Sequence, residues 1–458
     1  MATTRREEPP AARPRRGAFI GLPRVALVVL ALLILAGGAL RAVTAAGAAG
    51  EHQLSADERA YARLAIDLDA KHAYGPSMER PLHWPPGAPA MFAVAHRIAP
   101  DPDLPAAYWL QALCGTLVIP LVFTLALLIC ANAPAALAAA GIAAFYPPQI
   151  ALSGTLLSEG LGTLLLVAAA LATVWALRRP RAARFALAGA VFALAILTRA
   201  DMVLAPLFVA APIVLAGWRA RRRDLAAGAA TLLAATALVL APWIAHASDQ
   251  AGGFVLVTQG DAAPLFIGTF LPGDGRTSGM KDVFGPEIQK EQPRYRDRWV
   301  RLIPASVVLD HVAERHPELD RDAALRREAL ANLRRYALGD PLRFAGMMAE
   351  KVARMLVISS RVGSPTAHFG TRAAHAVIVV GAILLSLAAL LFTKRRRLGL
   401  LVVLAIPLYS ALLHAVVVSK ARYNLPLVPL LAAAGCAAAA MLLAHRRAAS
   451  RQDAATPS

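Results

Sequence analysis

The sequence predicts an all-α polytopic membrane protein of about ten transmembrane helices, with helical loops facing outward. Three observations predict it. Of the 458 residues, 57% are hydrophobic and the mean hydropathy is +0.53, against roughly 45–50% apolar residues in soluble domains. The apolar residues fall into runs near the roughly 20 residues that a helix needs to cross a hydrocarbon core. Lys and Arg cluster in short breaks between those runs, the pattern that orients a chain in a bilayer. That clustering also accounts for a formal charge of +19. With no zinc-finger spacing and no aromatic–basic interleave, the chain is matched to a lipid bilayer and not to nucleic acid.

Residues 1–18, which include RREEPPAARPRR, read as a disordered cytoplasmic tail. The first apolar run, Val25 to Leu40, is long for the core of a cleavable signal, and many similar runs follow it. It therefore reads as an uncleaved first span. Candidate spans lie at about 24–43, 107–130, 133–153, 155–177, 182–198, 201–217, 225–246, 373–393, 398–418 and 423–444. Thr198-Arg199-Ala200-Asp201 interrupts one apolar stretch and reads as the turn of a tight helical hairpin. Ten spans place the N-terminal arginines, RRPRAAR (178–184), WRARRR (218–223), KRRR (394–397) and HRR (445–447) together on the cytoplasmic side, with both termini. A missed span would invert the later clusters. The resulting organisation is an N-terminal membrane module, 19–246, whose first outer loop is 44–106. An outer subdomain, 247–372, follows, then C-terminal membrane helices, 373–447, and a disordered tail, 448–458.

Inside the outer subdomain, DRDAALRREALANLRRYAL predicts an amphipathic helix that Gly339-Asp340-Pro341 stops. The next stretch, PLRFAGMMAEKVARMLVIS, sets Phe344, Met347, Met348, Val352 and Met355 at helical spacing among basic residues. It predicts a helix lying in the membrane interface. Cys114, Cys130 and Cys436 all sit in apolar runs, which gives neither a disulfide framework nor a thiolate metal site. No internal repeat is evident.

Sorted by this topology, the polar motifs gather on the outer face. They are LSADERAYARLAIDLD (54–69), ERPLHWPPGAP (79–89), LLSEG (156–160), LTRAD (197–201), PWIAHASDQ (242–250) and SKARYN (419–424). Charge at membrane depth is costly and marks function, so the convergence predicts a single outward-facing site. Ser55-x-x-Glu58 fits a capping box, which gives Glu58 a structural role beside any chemical one. Asp57 falls in the first turn, where the helix dipole favours its ionised form, and shares a face with Tyr61. It is the stronger catalytic candidate. Glu159 either lines a cavity or makes a structural pair, and Arg199 with Asp201 either closes the hairpin or serves the site. Arg422 and Lys420 either anchor to headgroups or hold a substrate. His83 and Trp84 beside Pro85-Pro86-Gly87 form a stiff turn, and His96, His368 and His375 read as surface or interface residues. An ionised Asp can take the proton of an attacking hydroxyl, while a guanidinium holds a departing phosphate in fork geometry. No Gly-rich phosphate loop is present, so nucleotide donors are not favoured.

These motifs, in order and over most of the chain, resemble those of the GT-C membrane glycosyltransferases. The likeness is greatest to family 39-like and aminoarabinose-transferase-like proteins, relatives of the protein O-mannosyltransferases. SADERAYARLA resembles the family's acidic motif in the first outer loop, LLSEGLGTLLL its Ser-Glu helix start, LTRADMVLAPL its Thr-Arg hairpin, and ARYNLPLVPLLA its Arg-Tyr entry to a late span. The resemblance implies a GT-C-like fold in the bacterial inner membrane. It further implies inverting transfer of a sugar from a polyprenyl-phosphate donor to a lipid or glycan hydroxyl, at the periplasmic face, in cell-envelope synthesis. Under it Asp57, with Glu58 beside it, is catalytic, and Arg422, Lys420 and Arg199 contact the donor phosphate. Tyr61, Arg80, His83, Glu159, Asp201 and Tyr423 line the cavity or meet the acceptor. No cofactor is certain; a divalent metal, if used, would sit on Asp57, Glu58 and Glu159. Two departures bear on acceptor contacts: QGDAAPLFIG lacks the Asn-Gly-Gly-Asn of many relatives, and RAD stands where Arg-Pro-Glu is commoner. The rival functions are a transporter or flippase of a lipid-linked or anionic solute, which would place its site at the midplane of repeated halves, and a non-catalytic scaffold.

Overall fold

A computed structural model describes residues 22–51, 53–358, 369–393 and 397–453. The N-terminal arginines and tail, His368 and Lys394-Arg395-Arg396 lie outside the described residues. Every regular element described is helical, and no strand occurs among these residues. In chain order the helices are α1 (Arg24–Glu51), α2 (Ala56–Lys71), α3 (Gly87–Ile98), α4 (Pro105–Cys130), α5 (Ala133–Phe145) and α6 (Pro147–Ala151). Next come α7 (Glu159–Arg178), α8 (Ala182–Thr198), α9 (Ala205–Arg219), α10 (Arg223–Ala251), α11 (Ala262–Thr269) and α12 (Thr277–Glu291). The last six are α13 (Ala305–Ala313), α14 (Arg321–Asn332), α15 (Pro341–Val357), α16 (Phe369–Phe392), α17 (Arg397–Val416) and α18 (Val428–Asp453).

Among the described residues, eight helical segments are long and apolar enough to cross a membrane; α5 with the α6 turn, bent by 51°, is a ninth where the pair counts as one span. With the shorter apolar helix α8, these account for all ten predicted segments. The bend has a chemical cause. Tyr146-Pro147-Pro148 removes the amides that would continue α5, so its last carbonyls lose their partners. In hydrocarbon an unpaired carbonyl is expensive. Arg41 of α1, buried in the bundle, supplies the donors: its guanidinium reaches Ala144 O at 3.0 Å and Ala143 O at 2.8 Å. Gly115 of α4 makes room, since a Cβ there would lie 2.7 Å from Arg41 Nε.

One large apolar cluster, drawn chiefly from α4, α5, α7–α10 and α16–α18, forms the membrane core. A second, smaller one centres on Phe266, Phe270, Met280, Phe284, Tyr295, Val308 and Leu325, where α11–α14 close on one another. Val418, just past α17, belongs to that second cluster and ties it to the spans. A third packs α2 and α3 on α4 through Tyr61, Ala65, Phe92 and Tyr108.

Three expectations need correction. Helix α18 continues to Asp453, so residues 448–453 are helical; 454–458 lie outside the described residues. The apolar stripe of α15 faces protein: Phe344, Met347 and Met355 are buried against neighbouring helices and Met348 and Val352 half-buried, while Leu342 and Val357 are exposed. His375 is fully buried rather than at a surface. Its Nδ1 meets Tyr146 OH at 2.6 Å and its Nε2 meets Leu356 O at 2.9 Å.

Candidate active site

The site assembles from turns at the ends of four apolar helices. Ser55 caps α2, accepting from the Glu58 amide at 3.4 Å, while Glu58 Oε2 accepts from the Ser55 amide at 2.8 Å. The predicted capping box is thus formed. Glu58 Oε1 also accepts from the Leu156 amide at 3.0 Å, which fixes the LLSEG turn against α2. Both oxygens of Glu58 are therefore bonded to backbone N–H groups, and the side chain is buried. Asp57, one residue earlier, meets Arg422 instead.

The turn carrying Arg422 (Ala421–Asn424) is held from below. Asn424 Nδ2 donates to Met355 O at 2.6 Å and to Ile358 O at 3.0 Å. Gln149, in the broken span, donates to Leu425 O at 2.5 Å. The polar residues around the α5 bend thus serve as a floor for this turn. On the opposite side, Tyr409 OH donates to Asp201 O at 2.8 Å and fixes the turn between α8 and α9.

These turns bring the charged residues into one chain of contacts. Arg422 donates from Nη2 to Asp57 Oδ2 at 2.5 Å, and its Nε lies 3.5 Å from Glu159 Oε1. Arg199 Nη1 lies 3.3 Å from Glu159 Oε1, and its Nη2 donates to Asp201 Oδ2 at 2.7 Å. His414 Nε2 stands 4.0 Å beyond, from the same Asp201 oxygen. Asp57 and Arg422, 365 residues apart, are the most open members, with 39% and 26% of their side chains exposed, against 21% for Asp201 and 3% for Glu159. Burial alone would raise the Asp57 carboxyl. The charge and hydrogen bond of Arg422, with Lys420 and His83 behind, instead hold it below the ordinary carboxylate range.

A cavity of about 210 Å³ opens on this chain. Glu159, Arg199, Asp201, His414, Arg422, Ser158, Tyr61 and Tyr423 line its polar part, and Pro85, Leu157, Pro264, Val417 and Val418 its apolar walls. Burial, then the nearby Glu159 carboxylate, push the Tyr61 phenol upward, so it stays a neutral hydroxyl. Arg199 Nε and Arg422 Nε are buried N–H donors with no hydrogen-bond acceptor. Unmet donors of this kind beside a cavity are ready for an oxyanion ligand. Lys420 is exposed beside them, and among the described residues no carboxylate pairs with it.

The structure therefore groups Asp57, Tyr61, Glu159, Arg199, Asp201, Arg422 and Tyr423, with Lys420 adjacent. His83 sits at the rim, exposed, with its ring edge-on to Trp84 at 4.7 Å. Arg80 is exposed and outside the cavity lining. Glu58 lies within the α2 cap. That placement also undoes the expected metal ligand set. Glu58 is committed to amides, and the Arg422 guanidinium stands between Asp57 and Glu159 where a shared cation would go. Among the described residues, no three His, Cys, Asp or Glu side chains are grouped to hold a metal. These residues do not fit a divalent ion.

Sequence reasoning missed His414 and Ser158. His414 is an ionisable residue in the predicted span 398–418, which is by itself a functional signal. Its Nδ1 lies 2.8 Å from Ser410 O; a carbonyl only accepts, so that nitrogen carries hydrogen and Nε2 faces the cavity. Ser158, beside Glu159 in the quoted LLSEG, gave no separate signal.

Residues 83–246 match the sequence model of the family described as dolichyl-phosphate-mannose-protein mannosyltransferase. Among curated proteins, none matches the sequence significantly. Among solved structures, the chain is similar to the archaeal oligosaccharyltransferase AglB from Archaeoglobus fulgidus in complex with an inhibitory peptide and a dolichol-phosphate, with a TM-score of 0.56 at 17% identity. That match covers 95% of this chain and 52% of the other. A second structure of the Archaeoglobus fulgidus oligosaccharyltransferase, in complex with Zn and sulfate, matches with a TM-score of 0.53 at 19% identity, over 91% of this chain and 51% of that one. ArnT from Cupriavidus metallidurans bound to undecaprenyl phosphate matches at 18% identity with a TM-score of 0.37, over 89% and 75%. The chain spans about half the length of the oligosaccharyltransferases it matches. Over most of its length the chain shares the fold of these oligosaccharyltransferase structures.

Proposed function

We propose that this protein is an inverting glycosyltransferase that moves a sugar from a polyprenyl-phosphate carrier to a hydroxyl of a lipid or glycan acceptor, at the outer face of a bacterial inner membrane. One observation carries the proposal: a carboxylate held ionised by a guanidinium that keeps an unmet donor and lines a cavity with apolar walls. Two likenesses support the donor class, the family description matched by residues 83–246 and the dolichol-phosphate bound by the AglB structure. That the charged residues form one chain around a single cavity favours transfer over transport, whose sites line a path between repeated halves.

In this mechanism the donor phosphate docks on Arg422 and Lys420 and competes with Asp57 for the Arg422 donors. Released from that bond, Asp57 takes the proton of the acceptor hydroxyl. The acceptor oxygen forms its bond to the anomeric carbon as the bond from that carbon to the phosphate oxygen breaks. The phosphate leaves with the electron pair on its lipid, with Arg422 balancing the developing charge, and the proton passes from Asp57 to water. Glu159 and Asp201 keep Arg422 and Arg199 in place. The test is transfer of labelled sugar from polyprenyl-phosphate donors in membranes carrying the protein, with mass spectrometry of envelope glycans in a deletion strain naming the acceptor. Asp57→Asn should reduce transfer by about 10²–10⁴-fold, the range for loss of a positioned base. Normal transfer by that variant would remove Asp57 from the mechanism.

A further inference from the structure

Lys351 of α15 is wholly buried, and among the described residues no carboxylate pairs with it. A buried ammonium normally demands a counter-charge. Here it is held by carbonyls: Nζ donates to Gly268 O at 2.7 Å, Ala415 O at 2.8 Å and Val416 O at 3.4 Å. These are carbonyls at the C-terminal ends of α11 and α17, the negative ends of two helices. The packing is built for the arrangement. A Cβ on Gly268 would lie 2.3 Å from Val416 O, and one on Gly275, whose φ is +60°, would lie 2.6 Å from Lys351 Cδ. Two glycines thus let the helix ends meet and let the lysine stem pass. The same joint is tied twice more, by Ser419 Oγ donating to Lys351 O at 3.2 Å and by the Val418 amide donating to Pro264 O at 2.8 Å.

What leaves this joint is the segment that carries Lys420 and Arg422. His414 lies one residue before Ala415, and Lys420 and Arg422 follow within seven residues of it. We infer that Lys351 is a positioning residue: by binding the C-terminal ends of α11 and α17 together, it sets the path of residues 417–424 and so aims Lys420 and Arg422 at the donor phosphate. The inference rests on the proposed function for its consequence, but not for its geometry.

The experiment compares wild type, Lys351→Met and Ser419→Ala in detergent, with two readouts. The first is hydrogen exchange of the peptide covering 415–424. The second is affinity for a polyprenyl phosphate without sugar, followed, where transfer is seen, by the donor KM and kcat. Lys351→Met should speed exchange in 415–424 while α4 and α7 stay protected, weaken polyprenyl-phosphate affinity by about tenfold, and raise the donor KM with kcat nearly held. Ser419→Ala removes one tie and should move the same readouts in the same direction by less, and it keeps the test open if Lys351→Met does not accumulate as folded protein. Unchanged exchange, or unchanged affinity in a variant whose exchange has risen, overturns the inference. A wild type that binds no polyprenyl phosphate overturns the proposed function instead, and the exchange result then judges the joint alone.

Discussion

Asp57 and Glu58 are neighbours with opposite fates, and the reason lies in what each oxygen touches. Glu58 accepts two backbone amides, Ser55 and Leu156, so its loss is a structural event. Glu58→Gln gives up one acceptor oxygen within a capping box, and should cost about 1 kcal/mol of stability while leaving most of the transfer rate intact; thermal melting beside the transfer assay reads both. A rate loss matching that of Asp57→Asn, with an unchanged melting temperature, would return Glu58 to the chemistry. Asp57 faces Arg422, which holds its pKa below the ordinary value of about 3.9. A depressed carboxylate adds stability that is present above its unfolded pKa and is lost as pH falls through the folded one. Because 39% of the side chain is exposed, that stability stays below about 1 kcal/mol. The sharper consequence is kinetic. The acid limb of kcat/KM should lie below about pH 4, and Arg422→Gln, by removing the charge and the bond, should move it upward. A wild-type limb at neutral pH, or one that Arg422→Gln leaves in place, would contradict an ionised Asp57 held by Arg422.

At the level of elements, the site depends on close approaches between helix ends. Gly87 opens α3 against the end of α8, where a Cβ would lie 2.9 Å from Thr198 Cα and 3.0 Å from Leu197 O. Backbone atoms cannot swing aside as a side chain can, so any substituent pushes α3 away from the turn bearing Arg199 and Asp201. Gly87→Val should destabilise by about 1–3 kcal/mol and lower transfer, whereas Gly47→Ala, which meets open space, should do neither. Equal melting temperatures for the two variants would show that α3 is free to move. Some of this architecture was legible in the chain. The Ser55–Glu58 spacing foretold its capping box, because a cap is a local contact within four residues. The break at Thr198–Asp201 was legible for the same reason, but the tight hairpin expected there does not form: α8 and α9 each pack on α10 and hardly on one another. The bend in the third span was not read, although Tyr146-Pro147-Pro148 announced it. Hydropathy counts apolar length and is blind to a break whose carbonyls are satisfied by Arg41 from another helix.

For the molecule as a whole, the pairings that make the site join residues 57, 159, 199 and 422 through three-dimensional closure. No spacing in the chain encodes which acid meets which arginine, so sequence supplied the members and not the contacts. The predicted alternation of spans supplied the members, because it groups the polar motifs on one side and the basic clusters between spans on the other. That alternation is also the premise most exposed to test. Cys114, Cys130 and Cys436 are free thiols in or beside apolar helices, so a background in which all three are replaced by Ser can report on introduced cysteines. Asp297→Cys lies in an exposed turn between α12 and α13, and Arg179→Cys in the exposed turn between α7 and α8. If the pocket opens outward, a membrane-impermeant maleimide should label Asp297→Cys in intact spheroplasts, and Arg179→Cys only after the membrane is permeabilised. The reverse pattern would turn the cavity lined by Arg422 toward the cytoplasm. A carrier-linked donor presented at the outer face could then not reach Arg422, and the proposed function would fall even with every contact in the site intact.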